Sequence, residues 1–157
     1  MLAEVETYIE RLRDARAETL TTLEGLSVDA LNWHPLPDES NSLYALATHS
    51  LGAERGWLHE LVGQRAIERD RAAEFRARGD DIAALREAYD MVTRASEEIL
   101  ARLAESDMAA LRGRNASNRR TVRWCILHIV EHYSEHLGQM RLTRQLWENR
   151  TARPHEI

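Results

Sequence analysis

Apolar residues recur along this chain at steps of three and four, the pattern of helices that bury one face. Between Leu2 and Leu23 they fall at Leu2, Val5, Tyr8, Ile9, Leu12, Ala15, Leu20 and Leu23, and Gly25 follows where a glycine commonly ends a helix. A second stripe, Leu43, Leu46, His49, Ser50, Ala53, Trp57 and Leu61, predicts a helix that opens on Asn41 or Ser42 as N-cap. A third helix is expected from Asp80 to Glu105. Its stripe of Ile82, Leu85, Tyr89, Val92, Ser96, Ile99 and Leu103 has nearly the regularity of a coiled coil. Val122, Ile126, Ile129, Tyr133, Leu137 and Met140 predict a fourth helix from Thr121 to Trp147. No segment alternates with the period of a strand and no unit repeats. The expectation is an all-α four-helix bundle forming a single domain over residues 1–157.

The connections are less regular. Residues 25–41 are long for a loop in a compact domain, and such loops usually cover or build something. Ser27 is placed to cap a single turn through Ala30 and Leu31. His34-Pro35-Leu36-Pro37 reads as extended, because proline disfavours helix at the residue before it. The length of this loop leaves room for the first two helices to run parallel. Residues 64–80 hold five arginines and four acids, and read as a solvated connector or exposed turn ending at Gly79; residues 106–120 are a second polar connection. Gly52 and Gly56, poor helix formers inside helix two, predict the close approach of a neighbouring helix.

Composition narrows the chemistry. Arg accounts for all 21 basic residues against 26 acids, a net charge of −5 that argues against nucleic acid as a partner. The absence of lysine excludes any mechanism that needs one from this chain, including Schiff bases and the phosphate-loop lysine. Cys125, the single cysteine, is expected in the core and forms no internal disulfide. No apolar run approaches the ~20 residues of a membrane span, and the N-terminus lacks an apolar signal core, so the expected location is the cytoplasm.

The histidines carry the candidate chemistry. His128, His132 and His136 are spaced by four, and each such step advances a helix by about 6 Å and turns it about 40°. Neighbouring pairs can converge on one ion, whereas all three span about 12 Å and cannot easily do so. His132 and His136 lie beside Ile129, Tyr133 and Met140, on the side expected to face the bundle, while His128 is rotated toward Trp124 and Glu131. His49, inside the apolar stripe of helix two, is the expected third ligand. His59, about 15 Å further along that helix, is expected on the surface. Buried neutral imidazoles need either separate polar partners or one shared ion, and spacing leaves both open. Three nitrogen donors suit zinc, nickel, iron(II) or cobalt better than magnesium or calcium.

Competing motifs are weaker. The Glu-x-x-His pairs of a di-iron bundle are absent, since Ile129, Tyr133 and Leu46 stand three residues before the candidate ligands. His59-Glu60 is followed by Gly63 where a zinc-protease motif needs histidine. The five arginines from Arg112 to Arg123 contain no acid between them, and read either as a solvated loop paired with acids elsewhere or as an anion or partner contact.

The fourth helix, with His132, His136, Gly138 and Gln139, resembles the end of the DinB-like superfamily. The stretch with Trp33, Pro35, Asn41, Ser42 and His49 is similar to that superfamily's loop and second helix. The similarity covers essentially the whole chain. It implies a four-helix bundle holding one divalent metal, zinc or nickel first, through His49, His132 and His136; in some relatives glutamate stands at the position of His132. It also implies a homodimer. Characterised relatives include mycothiol-dependent maleylpyruvate isomerase and S-transferases that use mycothiol or bacillithiol. The isomerase-type relatives often have a further C-terminal domain, whereas about ten residues follow helix four here. The leading expectation is therefore a low-molecular-weight-thiol S-transferase acting on a small electrophile held under the 25–41 loop. Metal-hydroxide hydrolysis and a non-catalytic, dimeric, stress-related helical protein are the alternatives.

Overall fold

The computed structural model describes residues 1–36, 38 and 40–150. Pro37, part of the stretch read as extended, and the tail 151–157 lie outside this description. Helix α1 spans Ala3–Leu23 and is ended by Gly25, whose φ of +72° side chains other than glycine rarely adopt. The Ser27 hydroxyl accepts from the Ala30 amide and caps the single turn α2, Val28–Leu31. Helix α3, Leu43–Glu54, is capped in the same way by Ser42, and passes directly into a π-helical segment, Arg55–Val62. A short α4, Arg71–Phe75, interrupts the next connection. Then come α5 (Ala83–Ala101), α6 (Glu105–Met108) and α7 (Val122–Asn149), the last capped by Thr121. The 106–120 region departs from the strand-free reading in one small respect: Leu111–Arg112 (β1) pairs antiparallel with Arg120–Thr121 (β2).

Side-chain pairs fix the direction of each helix. Glu4 meets Arg123 and Glu18 meets Arg141, so α1 and α7 run parallel. Arg13 meets Glu97 and Arg86 meets Glu24, so α1 and α5 are antiparallel. Along α3 and its extension, Ala47 meets Tyr89 and Glu54 meets Ser96, which makes α3 parallel to α5. The first pair of long helices is therefore antiparallel, contrary to what the length of the 25–41 loop allowed. The parallel crossover is instead made by residues 63–82, between α3 and α5.

The predicted stripes of α5 and α7 are the buried ones: Leu85, Tyr89, Val92, Ser96 and Ile99 on one, Val122, Ile126, Ile129, Tyr133, Leu137 and Met140 on the other. Helix α3 is different. It is buried on nearly every side, Ala45, Ala47, Leu51 and Glu54 included, because α4 packs on it in addition to the three other long helices of the bundle. The π segment changes the register further. Its wider turn carries His59 off the surface and into the core, where its Nε2 lies 3.0 Å from the Ser96 hydroxyl.

All four long helices meet at one carboxylate. Glu54 of α3 is fully buried and accepts two hydrogen bonds from Arg16 of α1, at 3.1 and 2.5 Å, one from the Tyr133 hydroxyl of α7 at 2.8 Å, and one from the Ser96 hydroxyl of α5. Burial holds the Tyr133 hydroxyl well above its ordinary pKa, so it stays a donor. A paired buried charge contributes little net stability, but an orphaned one is costly. Glu54→Leu should therefore destabilise the protein by about 3–5 kcal/mol, and Arg16→Met with Glu54→Leu should recover much of that loss. Denaturant unfolding of the two single variants and the double variant gives the coupling directly.

Candidate metal centre

His49 is on the face of α3 turned toward α7, and His132 and His136 are on consecutive turns of α7 facing back. The two helices are antiparallel, so the one imidazole is set against the pair: ring centroids of His49 lie 5.0 Å from His132 and 5.1 Å from His136, and those of His132 and His136 are 4.4 Å apart. One nitrogen from each ring lies within 4.8 Å of the other two. The three predicted ligands are thus brought together. His128 is not with them: it is half-buried, stacked on Trp124 and edge-on to Trp57, 6.0 Å from the His132 ring.

Neighbours orient two of the three rings. The Nδ1 of His49 is 2.9 Å from Glu74 Oε2; the ionised carboxylate accepts a hydrogen bond from Nδ1–H, which leaves Nε2 with a lone pair. Arg69 clamps the same carboxylate with bonds of 2.7 and 2.9 Å, and the Phe75 ring stacks on His49 at 4.1 Å. Burial acts to raise the Glu74 carboxyl, but the bonds from Arg69 and His49 outweigh it and hold the group below the usual range. The Nδ1 of His136 is 2.9 Å from the Gln139 carbonyl oxygen, a contact that likewise leaves its Nε2 free. Glu74, Phe75 and Arg69 lie in the segment read as a solvated connector. Their only sequence signal is the clustering of opposite charges in it.

The donor set fits a transition-metal ion. The Nε2 atoms of His49 and His132 face each other at 3.2 Å, while two nitrogens on one tetrahedral zinc, each bonded at ~2.0–2.1 Å, sit about 3.3 Å apart. Metal ligation needs neutral imidazoles. Burial lowers His49, and burial together with the neighbouring His136 and His49 pushes His132 down to about 3. The Nδ1 of His132 is buried and has no hydrogen-bond partner among the described residues.

Beside this cluster the 25–41 loop and the last turns of α7 enclose a cavity of about 830 Å³. Its lining is largely apolar, with Trp33, Pro35, Leu36, Leu46, Leu142 and Leu146, and it includes Gln139, the partner of His136. The arginines of the 112–123 segment divide. Arg114 and Arg123 pair with Glu60 and Glu4, as the solvated-loop reading expects, whereas Arg120 lies over Trp124. Cys125 is buried in the core.

Among solved structures, a conserved protein from Enterococcus faecalis superposes with a TM-score of 0.74 at 14% identity, over 93% of this chain and 98% of that one. A DinB-like protein from Bacillus cereus superposes with a TM-score of 0.70 at 17% identity, over 94% and 91%. These likenesses define the class of the fold, a DinB-like helical bundle. At the level of sequence the chain matches the mycothiol-S-transferase family from residue 7 to residue 149, and belongs to it. No curated protein matches it. Among the described residues no helix is long and apolar enough to cross a membrane.

The depressed pKa of His132 has a consequence for stability in metal-free protein. The unfolded chain takes up this proton near pH 6.5 and the folded one only near 3, so the contribution is complete above 6.5 and is lost as the pH falls between those values. Chelator-treated protein should lose melting temperature more steeply from pH 7.5 to 4.5 than its His132→Gln variant, as scanning calorimetry can show.

Proposed function

We propose that this protein joins a low-molecular-weight thiol, mycothiol first among candidates, to a small electrophile, with His49, His132 and His136 holding zinc or nickel. The convergence of three imidazoles from two helices beside an 830 Å³ apolar cavity carries the reading. Membership of the mycothiol-S-transferase family supports it. An ion bound by three protein nitrogens keeps open positions and lowers the pKa of a thiol that reaches it, so that thiolate is supplied near neutral pH.

The chain's own residues do the rest. Glu74 and Gln139 keep the Nδ1 protons of His49 and His136 turned outward, so that the facing nitrogens remain donors. The apolar walls of the cavity, with Trp33 on the loop and Leu142 and Leu146 on α7, suit an electrophile with an aliphatic or aromatic body. Sulfur bonds to the electrophilic carbon, the leaving group departs with the bonding pair, and the thiol proton passes to solvent. No side chain at the cluster is needed as a general base. The same reading takes residues 1–157 as one domain that works as a cytoplasmic homodimer.

Metal content by elemental analysis and thiol conjugation by the purified protein test this together. Turnover should fall by about 100-fold or more in His136→Ala, with metal content falling in parallel. Undiminished turnover in that variant would contradict the reading, and consumption of the electrophile without thiol would replace it with hydrolysis.

A further inference from the structure

Helix α3 and the π-helical segment that continues it carry glycine at 52 and 56, about one turn apart, where each costs ~0.5–1 kcal/mol relative to alanine. The gap they leave is filled by Glu74 of α4, by Arg69 just before that helix, and by Arg114 from the turn between β1 and β2. A Cβ on Gly52 would lie 1.9 Å from Oε1 of Glu74, and one on Gly56 would lie 2.9 Å from an Arg69 nitrogen and 3.4 Å from one of Arg114. Two acid–arginine pairs meet across the two glycines, Glu74 with Arg69 and Glu60 with Arg114. His49 meets Glu74, Glu74 is clamped by Arg69, and Arg69 lies with Arg114 over Gly56, where Arg114 makes its own two-bonded pair with Glu60.

We propose that Glu74, seated on Gly52 and clamped by Arg69, is a positioning residue that fixes His49 as the Nδ1–H tautomer with Nε2 aimed at His132 and His136, and thereby sets the affinity of the metal centre. The proposal rests on the metal reading above and extends it to residues that touch no ion. The chemistry is that of carboxylate–histidine–metal arrangements, in which the outer carboxylate holds the ring and raises its basicity; loss of such partners typically costs 10–100-fold in affinity. Arg69 completes the device. It leaves Glu74 ionised although buried, so the carboxylate can act only as an acceptor toward the imidazole. The glycine at 52 is explained as well, since alanine would favour the helix and evict the carboxylate.

The test needs no turnover. Long-range proton–nitrogen NMR of metal-free protein reports which nitrogen of His49 carries the proton, and competition for Zn²⁺ against a chromophoric chelator reports affinity. Wild type should show Nδ1–H. Glu74→Ala should lose that preference and bind Zn²⁺ 10–100-fold more weakly. Glu74→Gln, which keeps an acceptor oxygen, should retain the tautomer and much of the affinity. Gly52→Ala, in which the added methyl displaces the carboxylate, should keep the wild-type helical content by circular dichroism yet share the affinity loss of Glu74→Ala. Wild-type tautomer and affinity in both Glu74→Ala and Gly52→Ala would overturn the assignment. Failure of wild type to take up Zn²⁺ would remove the metal reading instead, and the tautomer measurement alone would then decide the role of Glu74.

Discussion

The carboxylate of Glu54 is the point at which the bundle is tied together. It receives Arg16, Ser96 and Tyr133, so each of the four long helices contributes one group to a single buried contact. Hydrophobic stripes alone bring helices together but tolerate sliding, because dispersion and burial have no direction. A buried ion with four donors does not tolerate it. The contact lies five residues after His49 on α3 and immediately after His132 on α7, so it fixes the alignment of the helices on which those histidines stand.

The candidate centre follows from that alignment. Parallel α1 and α7, with α3 and α5 running against them, set one face of α3 against α7 in opposite senses, and one imidazole falls opposite a pair spaced by four. The remaining parts come from segments outside the bundle. The crossover between α3 and α5 delivers Glu74 and Phe75 to the back of His49, and the 25–41 loop closes the cavity beside His136 through its neighbour Gln139. A rigid frame thus places the three imidazoles, while the connections orient them and shape the space beside them.

The parts of this arrangement that depend on local periodicity were readable in the chain. The stripes of α5 and α7, the caps at Ser27 and Ser42, and the facing of His49, His132 and His136 all follow from spacing on an ideal helix. What depended on distant partners was not readable. Glu74 sits in a stretch so rich in charge that it resembles a solvated surface, and only the folded contact with Arg69 and His49 shows why an acid is buried there. Glu54 has its partners on three other helices. His59 was placed on the surface because a 3.6-residue period was carried through a segment that winds more widely. Gly52 and Gly56 signal close approach: at Gly52 it is Glu74 of the short helix α4, and at Gly56 the guanidinium groups of Arg69 and Arg114.

Crystallographic anomalous scattering, recorded on either side of the zinc and nickel absorption edges from protein purified without chelator, addresses the central claim most directly. The account predicts one strong peak among the rings of His49, His132 and His136, bonded to one nitrogen of each and open on at least one side. A map with no anomalous density there, and with the three rings hydrogen-bonded to one another or to water, would contradict it.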